Sequence, residues 1–193
     1  MMWKTELEYE ILNEITSDWE LFLFSNEIYW QLNLSNKKLS PSERKVRISA
    51  GRLLISSFIL QNTTRFKNDL ILNQFLLLKN QWLANWQKKV TGELPVRIRQ
   101  WNQFILDLRS DSEFSQPQMN NQLQIRLMIG LLIDELVETE IGQYLQQITI
   151  LDQKYKYATL ENGFIWESEL MDIFSPVKYW YLYRRFTQPG EKK

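Results

Sequence analysis

Apolar residues recur every three or four positions along most of this chain, and that spacing limits what the chain can fold into. Ile71, Phe75, Leu78, Trp82 and Trp86 follow one another at intervals of four, three, four and four, one stripe of a 3.6-residue helix. Residues 125–135, IRLMIGLLIDE, are apolar almost all round, which suits a helix at the centre of a bundle. No run reaches the ~18 apolar residues that a membrane span requires.

Local punctuation divides the pattern into segments. Thr5-Glu6-Leu7-Glu8 is a capping box that opens a first helix, with Glu8 reaching back to Thr5. Ser17-Asp18-Trp19-Glu20 repeats the signal and marks a break or bend, beyond which the helix runs to about Leu32. Ser40-Pro41-Ser42-Glu43 supplies an N-cap, a first-turn proline and an acid, and predicts a helix to about Gln61. A third helix is expected over roughly Lys67–Val90, ended by Gly92. Pro95 begins a fourth, running to about Arg109, and residues 110–117 form a loop. Pro117 opens a long fifth helix reaching at least Glu140. Ser175-Pro176 starts a short last helix through VKYWYLYRRF. The one strand signal is a small hairpin near residues 154–167, turning at Asn162-Gly163. No internal repeat is found.

The expected fold class is therefore all-α, an antiparallel helical bundle of about five or six helices. A chain of 193 residues suits a single helical domain over 1–186, with a core at roughly 5–147, a C-terminal appendage at 148–186 and a flexible tail at 187–193. MMWKTELEYE carries Glu6, Glu8 and Glu10 where the apolar stretch of a secretory signal would begin, so a soluble, cytoplasmic protein is expected.

Cysteine and histidine are both absent. Disulfides, thiolate zinc sites, a cysteine nucleophile, the Ser-His-Asp triad and every His-ligated metal centre are thereby excluded. The six glycines are not clustered, so no phosphate-cradling loop is present and no cofactor is expected. An enzyme built from this chain would work with carboxylates, Lys, Tyr, Ser or an oxygen-ligated metal.

Charge is segregated although the net is zero. Residues 1–30 sum to −6, 31–109 to +10, 110–174 to −8 and 175–193 to +4. Such blocks suit helices that complement one another side by side. The alternative is a basic face for phosphate or an acidic partner. Its candidate residues are Arg44, Arg47, Arg52, Arg97, Arg99, Lys178, Arg184 and Arg185, since arginine grips phosphate or carboxylate in bidentate fashion. Arg47, Arg97 and Arg99, like Arg126, also sit between apolar neighbours, where the stem packs and the head snorkels.

Arg126 lies inside the apolar fifth helix and needs an acid if it is buried. Glu10 and Glu14 on the first helix are its expected partners. Glu10 with Glu14, and Asp134 with Glu138, are also i,i+4 acid pairs of a kind that could hold Mg²⁺. The pattern resembles only generically the acid rows of all-α nucleotide pyrophosphohydrolases, whose run of tightly spaced acids is missing here. A solvated acidic face accounts for it as well, and no metal site is assigned.

Five of the eight tyrosines follow residue 154, and KYWYLYRRF gathers rings and bases. Tyr179, Trp180 and Tyr183 are candidate partner-interface residues, because rings and arginine concentrate at interface hot spots. The expected function is a non-enzymatic α-helical subunit that works by contact with other proteins or its own copies. The alternatives are a helical subunit touching a nucleic-acid backbone through residues 37–52 and the C-terminal segment, and a Mg²⁺-dependent hydrolase using the acid pairs.

Overall fold

The computed structural model describes residues 5–37, 39–66, 69–108, 116–136 and 138–186. Residues 110–115 of the loop expected at 110–117, the helix end at Arg109 and the tail at 187–193 lie outside them, while Gln116 and Pro117 are already helical and not loop. The described residues are mostly helical, with seven α-helices and two small antiparallel sheets. The helices are α1 (Thr5–Ser17), α2 (Trp19–Phe24), α3 (Ala50–Asn62), α4 (Leu70–Gln81), α5 (Leu83–Asp107), α6 (Gln116–Asp134) and α7 (Glu138–Ala158). The strands are β1 (Trp30–Asn33), β2 (Lys45–Ile48), β3 (Thr159–Glu161) and β4 (Arg184–Phe186). Among the described residues no helix is long and apolar enough to cross a membrane.

Two expected helices give way to a hairpin. The first helix breaks at Asp18 and then stops at Phe24 instead of reaching Leu32, and β1 pairs with β2 from Trp30↔Ile48 to Asn33↔Lys45. Ser40 and Glu43 do form their reciprocal cap, Ser40 N–H donating to Glu43 Oε2 at 2.8 Å and Glu43 N–H to Ser40 Oγ at 3.3 Å. The turn then goes no further. Val46 and Ile48 are both buried, and two positions apart on a helix they would point ~200° away from each other. A strand puts both on one face, so the chain extends here and restarts its helix at Ala50, capped by Ser49 Oγ.

Other boundaries also move. The helix expected over Lys67–Val90 is two, since α4 ends at Gln81 and α5 begins at Leu83. Gly92 and Pro95 lie inside α5. The buried line Trp86, Val90, Glu93, Arg97, Trp101, Phe104 runs through them at helical spacing, and this packing outweighs the one hydrogen bond that proline removes. α6 ends at Asp134, short of Glu140.

The hairpin expected at 154–167 is absent. α7 continues to Ala158, and β3 pairs with the distant β4 from Thr159↔Phe186 to Glu161↔Arg184. The last segment is a 3₁₀ turn at Trp180–Tyr183 followed by β4, not an α-helix. Tyr179 and Tyr181 are both buried, again a two-residue spacing that one α-helix face cannot supply.

The chain divides into two compact units, one drawn from Trp3–Pro95 with Gly130–Leu136, the other from Val96–Ile129 with Val137–Lys193. In the first, α1 packs on α3 and α4, and Trp19 stacks on Trp86 at 5.7 Å and meets Phe75 edge-on at 5.5 Å. In the second, the buried ring of Tyr155 lies 5.1 Å from that of Trp101 and 6.4 Å from that of Phe104.

Candidate functional site

Most buried charge is used internally. Glu8 accepts from both terminal nitrogens of Arg52, one at 2.8 Å, and from Ser56 Oγ at 2.7 Å. Its carboxylate therefore serves α3 and does not reach back to Thr5. Glu93 accepts from Ser49 Oγ at 2.7 Å and from Gly51 N–H at 2.9 Å. An internal acid thus occupies the positive end of α3, where an anion would otherwise be drawn. Glu135 accepts from Lys79 Nζ at 2.7 Å and Trp86 Nε1 at 2.8 Å.

The partner of Arg126 is Asp152 on α7, through bonds of 2.8 and 2.6 Å, and not Glu10 or Glu14. The guanidinium also lies 4.8 Å from the ring centre of Tyr181. Burial pulls its pKa down, but the hydrogen bonds and charge of Asp152 outweigh that and hold it above the ordinary value. Glu10 accepts from Asn36 at 2.9 Å, and Glu14 from Ser35 at 3.2 and 3.1 Å. Asp134 is exposed, and the side chain of Glu138 lies outside the described residues. No group of three or more acids that could hold a metal ion occurs among the described residues.

The eight candidate bases do not share one environment. Arg52 is buried against Glu8, and Arg97 is buried beside Gln100 at 3.0 Å. Arg44 is half-buried in the turn before β2, while Arg47 on β2 and Arg99 on α5 are exposed. Arg47 stands 5.0 Å over the ring of Tyr29. Arg184 donates to Thr159 Oγ1 at 2.7 Å and to backbone oxygens of Lys156 and Thr159. Arg185 donates to Phe186 O, and Lys178 is exposed.

Of the candidate interface rings, Tyr179 is buried against Phe174 at 5.0 Å. Trp180 is half-buried with Lys156 Nζ 4.3 Å over it. Tyr183 is half-buried and donates to Phe174 O at 2.6 Å.

A cleft of about 280 Å³ lies between residues 23–28 and α5. This is at the lower edge of small-molecule sites. Its most buried cation, Lys89, donates to Ser25 O, Ser25 Oγ and Glu27 O at 2.7, 2.8 and 2.8 Å. Burial lowers the pKa of Lys89 against the opposing charges of Glu27 and Glu93. Its three protons hold the loop, leaving none for a ligand.

The feature that sequence reading missed lies on α4. Of its seven apolar residues only Leu72 and Phe75 are buried. Leu70 is 82% exposed and Leu77 69%. Asn73, Gln74, Asn80 and Gln81 are exposed with them. These six positions, at i, i+3, i+4, i+7, i+10 and i+11, form one stripe along the helix. Contrary to the expectation of no internal repeat, they are set out by a short one of seven residues, LILNQFL followed by LLKNQWL. Apolar periodicity marks the inner line and is silent on this outer one, whose signal is the recurrence of Leu, Asn and Gln at a spacing of seven. Nearby, Phe24 is 57% exposed and meets Trp82 edge-on at 5.3 Å.

No known family model matches the chain, and no characterised protein or solved structure matches it.

Proposed function

We propose that this chain is a helical assembly subunit that works by protein–protein contact, with the outer stripe of α4 as its docking face. The observation that carries the reading is the stripe itself, a solvent-facing row of leucines and amides without one charge in a chain that is 24% charged. Interface cores are marked by depletion of charge more than by bulk hydrophobicity. A helix that serves only its own core normally turns Lys, Glu or Arg outward.

The test is affinity capture from the native cell with the wild type and with Leu70→Glu/Leu77→Glu. A protein retained at stoichiometric level by the first and lost from the second is the expected result. An unchanged set of retained proteins removes the reading.

One observation favours a second reading, contact with a nucleic-acid backbone. Lys45 and Arg47 alternate with the buried Val46 and Ile48, so the hairpin turns both bases outward. Binding of a random oligonucleotide would then fall steeply with salt and be lost in Lys45→Glu/Arg47→Glu. A salt-independent signal counts against it.

A further inference from the structure

We infer that the occupant of the α4 stripe is a second copy of this chain, the two α4 helices lying parallel and in register. The inference rests on the stripe being a docking face and adds the identity of its partner. In a closed pair the same patch meets itself, so each residue faces a member of its own set. A face with fixed charge of one sign repels its copy, and this one carries none. Residues 70–87 contain a single charged residue, Lys79, and its ammonium is already held 2.7 Å from Glu135.

The polar members of the stripe are all amides. An amide both donates and accepts, so Asn meets Asn, and Gln meets Gln, without a partner of different chemistry. A foreign partner selected by charge would find nothing here to pair with.

The repeat supplies the register. Leu70 and Leu77 stand seven apart, as do Asn73 with Asn80 and Gln74 with Gln81. Parallel helices that meet at such a spacing stack like on like, leucine layers alternating with asparagine layers. Asparagine in such a seam fixes alignment at a cost in affinity.

The mass of the full chain, followed by sedimentation or light scattering, is expected to rise from one copy to two between about 1 and 100 µM, the range of a small interface. Leu77→Glu, checked for an unchanged far-ultraviolet spectrum, weakens that association at least about tenfold. Asn80→Leu strengthens it and admits higher oligomers, which a purely structural asparagine would not do. The chain has no cysteine, so Leu70→Cys and Leu77→Cys each give a clean crosslink, and each is expected to join to its own counterpart under mild oxidation.

A dimer in which only one of the two crosslinks overturns the parallel register. A dimer indifferent to Leu77→Glu overturns the assignment of the interface. A chain that stays single throughout, yet retains a stripe-dependent partner in the capture experiment, overturns this inference and leaves the docking reading standing. If it stays single and retains none, both fall.

Discussion

Tyr155 is a fully buried side chain whose hydroxyl has no hydrogen-bond partner among the described residues. Burial pushes its pKa above the usual tyrosine value, with Arg184 opposing weakly. The unfolded chain ionises this group near pH ~10 and the folded chain resists doing so. Stability that depends on the neutral ring is whole below pH ~10 and is lost as pH rises beyond it. Tyr155→Phe is expected to leave the neutral-pH urea midpoint unchanged or higher and to flatten its alkaline decline. A decline as steep as the wild type's would place the sensitivity elsewhere. The Glu8–Arg52 pair calls for a different test. Removing one partner leaves an uncompensated buried charge, so Glu8→Ala is expected to cost about 3–5 kcal/mol in urea unfolding. Glu8→Leu with Arg52→Met recovers most of that. The sequence offers Arg52 as a candidate anion-binding base, but nothing local shows that the acid it meets lies 44 positions earlier. The identity of the partner is a tertiary fact, and the same holds for Arg126 and Asp152.

At the scale of elements, the helices were legible because 3.6-residue spacing persists over many turns, whereas four-residue strands offer too few alternations to compete with it. The Ser40–Glu43 cap makes the point. Its chemistry is legible in the sequence and its geometry forms, yet helix length is decided downstream by which residues can reach the core. The outer stripe of α4 is legible in principle as a repeat of seven, but amides at regular spacing carry no hydropathy signal. Ser49 bears a cap of more consequence, since its hydroxyl both accepts from Arg52 N–H at 3.3 Å and donates to Glu93. Ser49→Ala is expected to lower stability by about 1–2 kcal/mol. Ser49→Thr, which keeps the hydroxyl, should restore most of it in the same urea titration.

For the molecule as a whole, the segregated charge seen in the sequence resolves partly into pairs between blocks. Glu8 with Arg52 and Glu6 with Arg65 join the first acidic block to the basic one, and Lys79 with Glu135 joins the basic block to the second acidic one. The two compact units were not legible, because each is assembled from separated stretches and both α5 and α6 contribute to the two of them. Residues 1–95 without 130–136 lack the carboxylate that satisfies Lys79 and the indole of Trp86. That fragment is expected to lose the near-ultraviolet dichroism of packed tryptophan, and a peptide carrying Leu131–Leu136 should restore part of it. A fragment that keeps the full signal alone would show that the segment is dispensable.

A doubled motif also permits a slip. Sliding one α4 along another by a heptad, about 10 Å, sets the second half of the motif against the first half of its neighbour and leaves a half uncovered at each end. Such a staggered contact does not close on itself and can be extended by each newcomer. The surface that would join two molecules therefore also holds the means to string many into a fibre, restrained only by the greater overlap of the aligned pair.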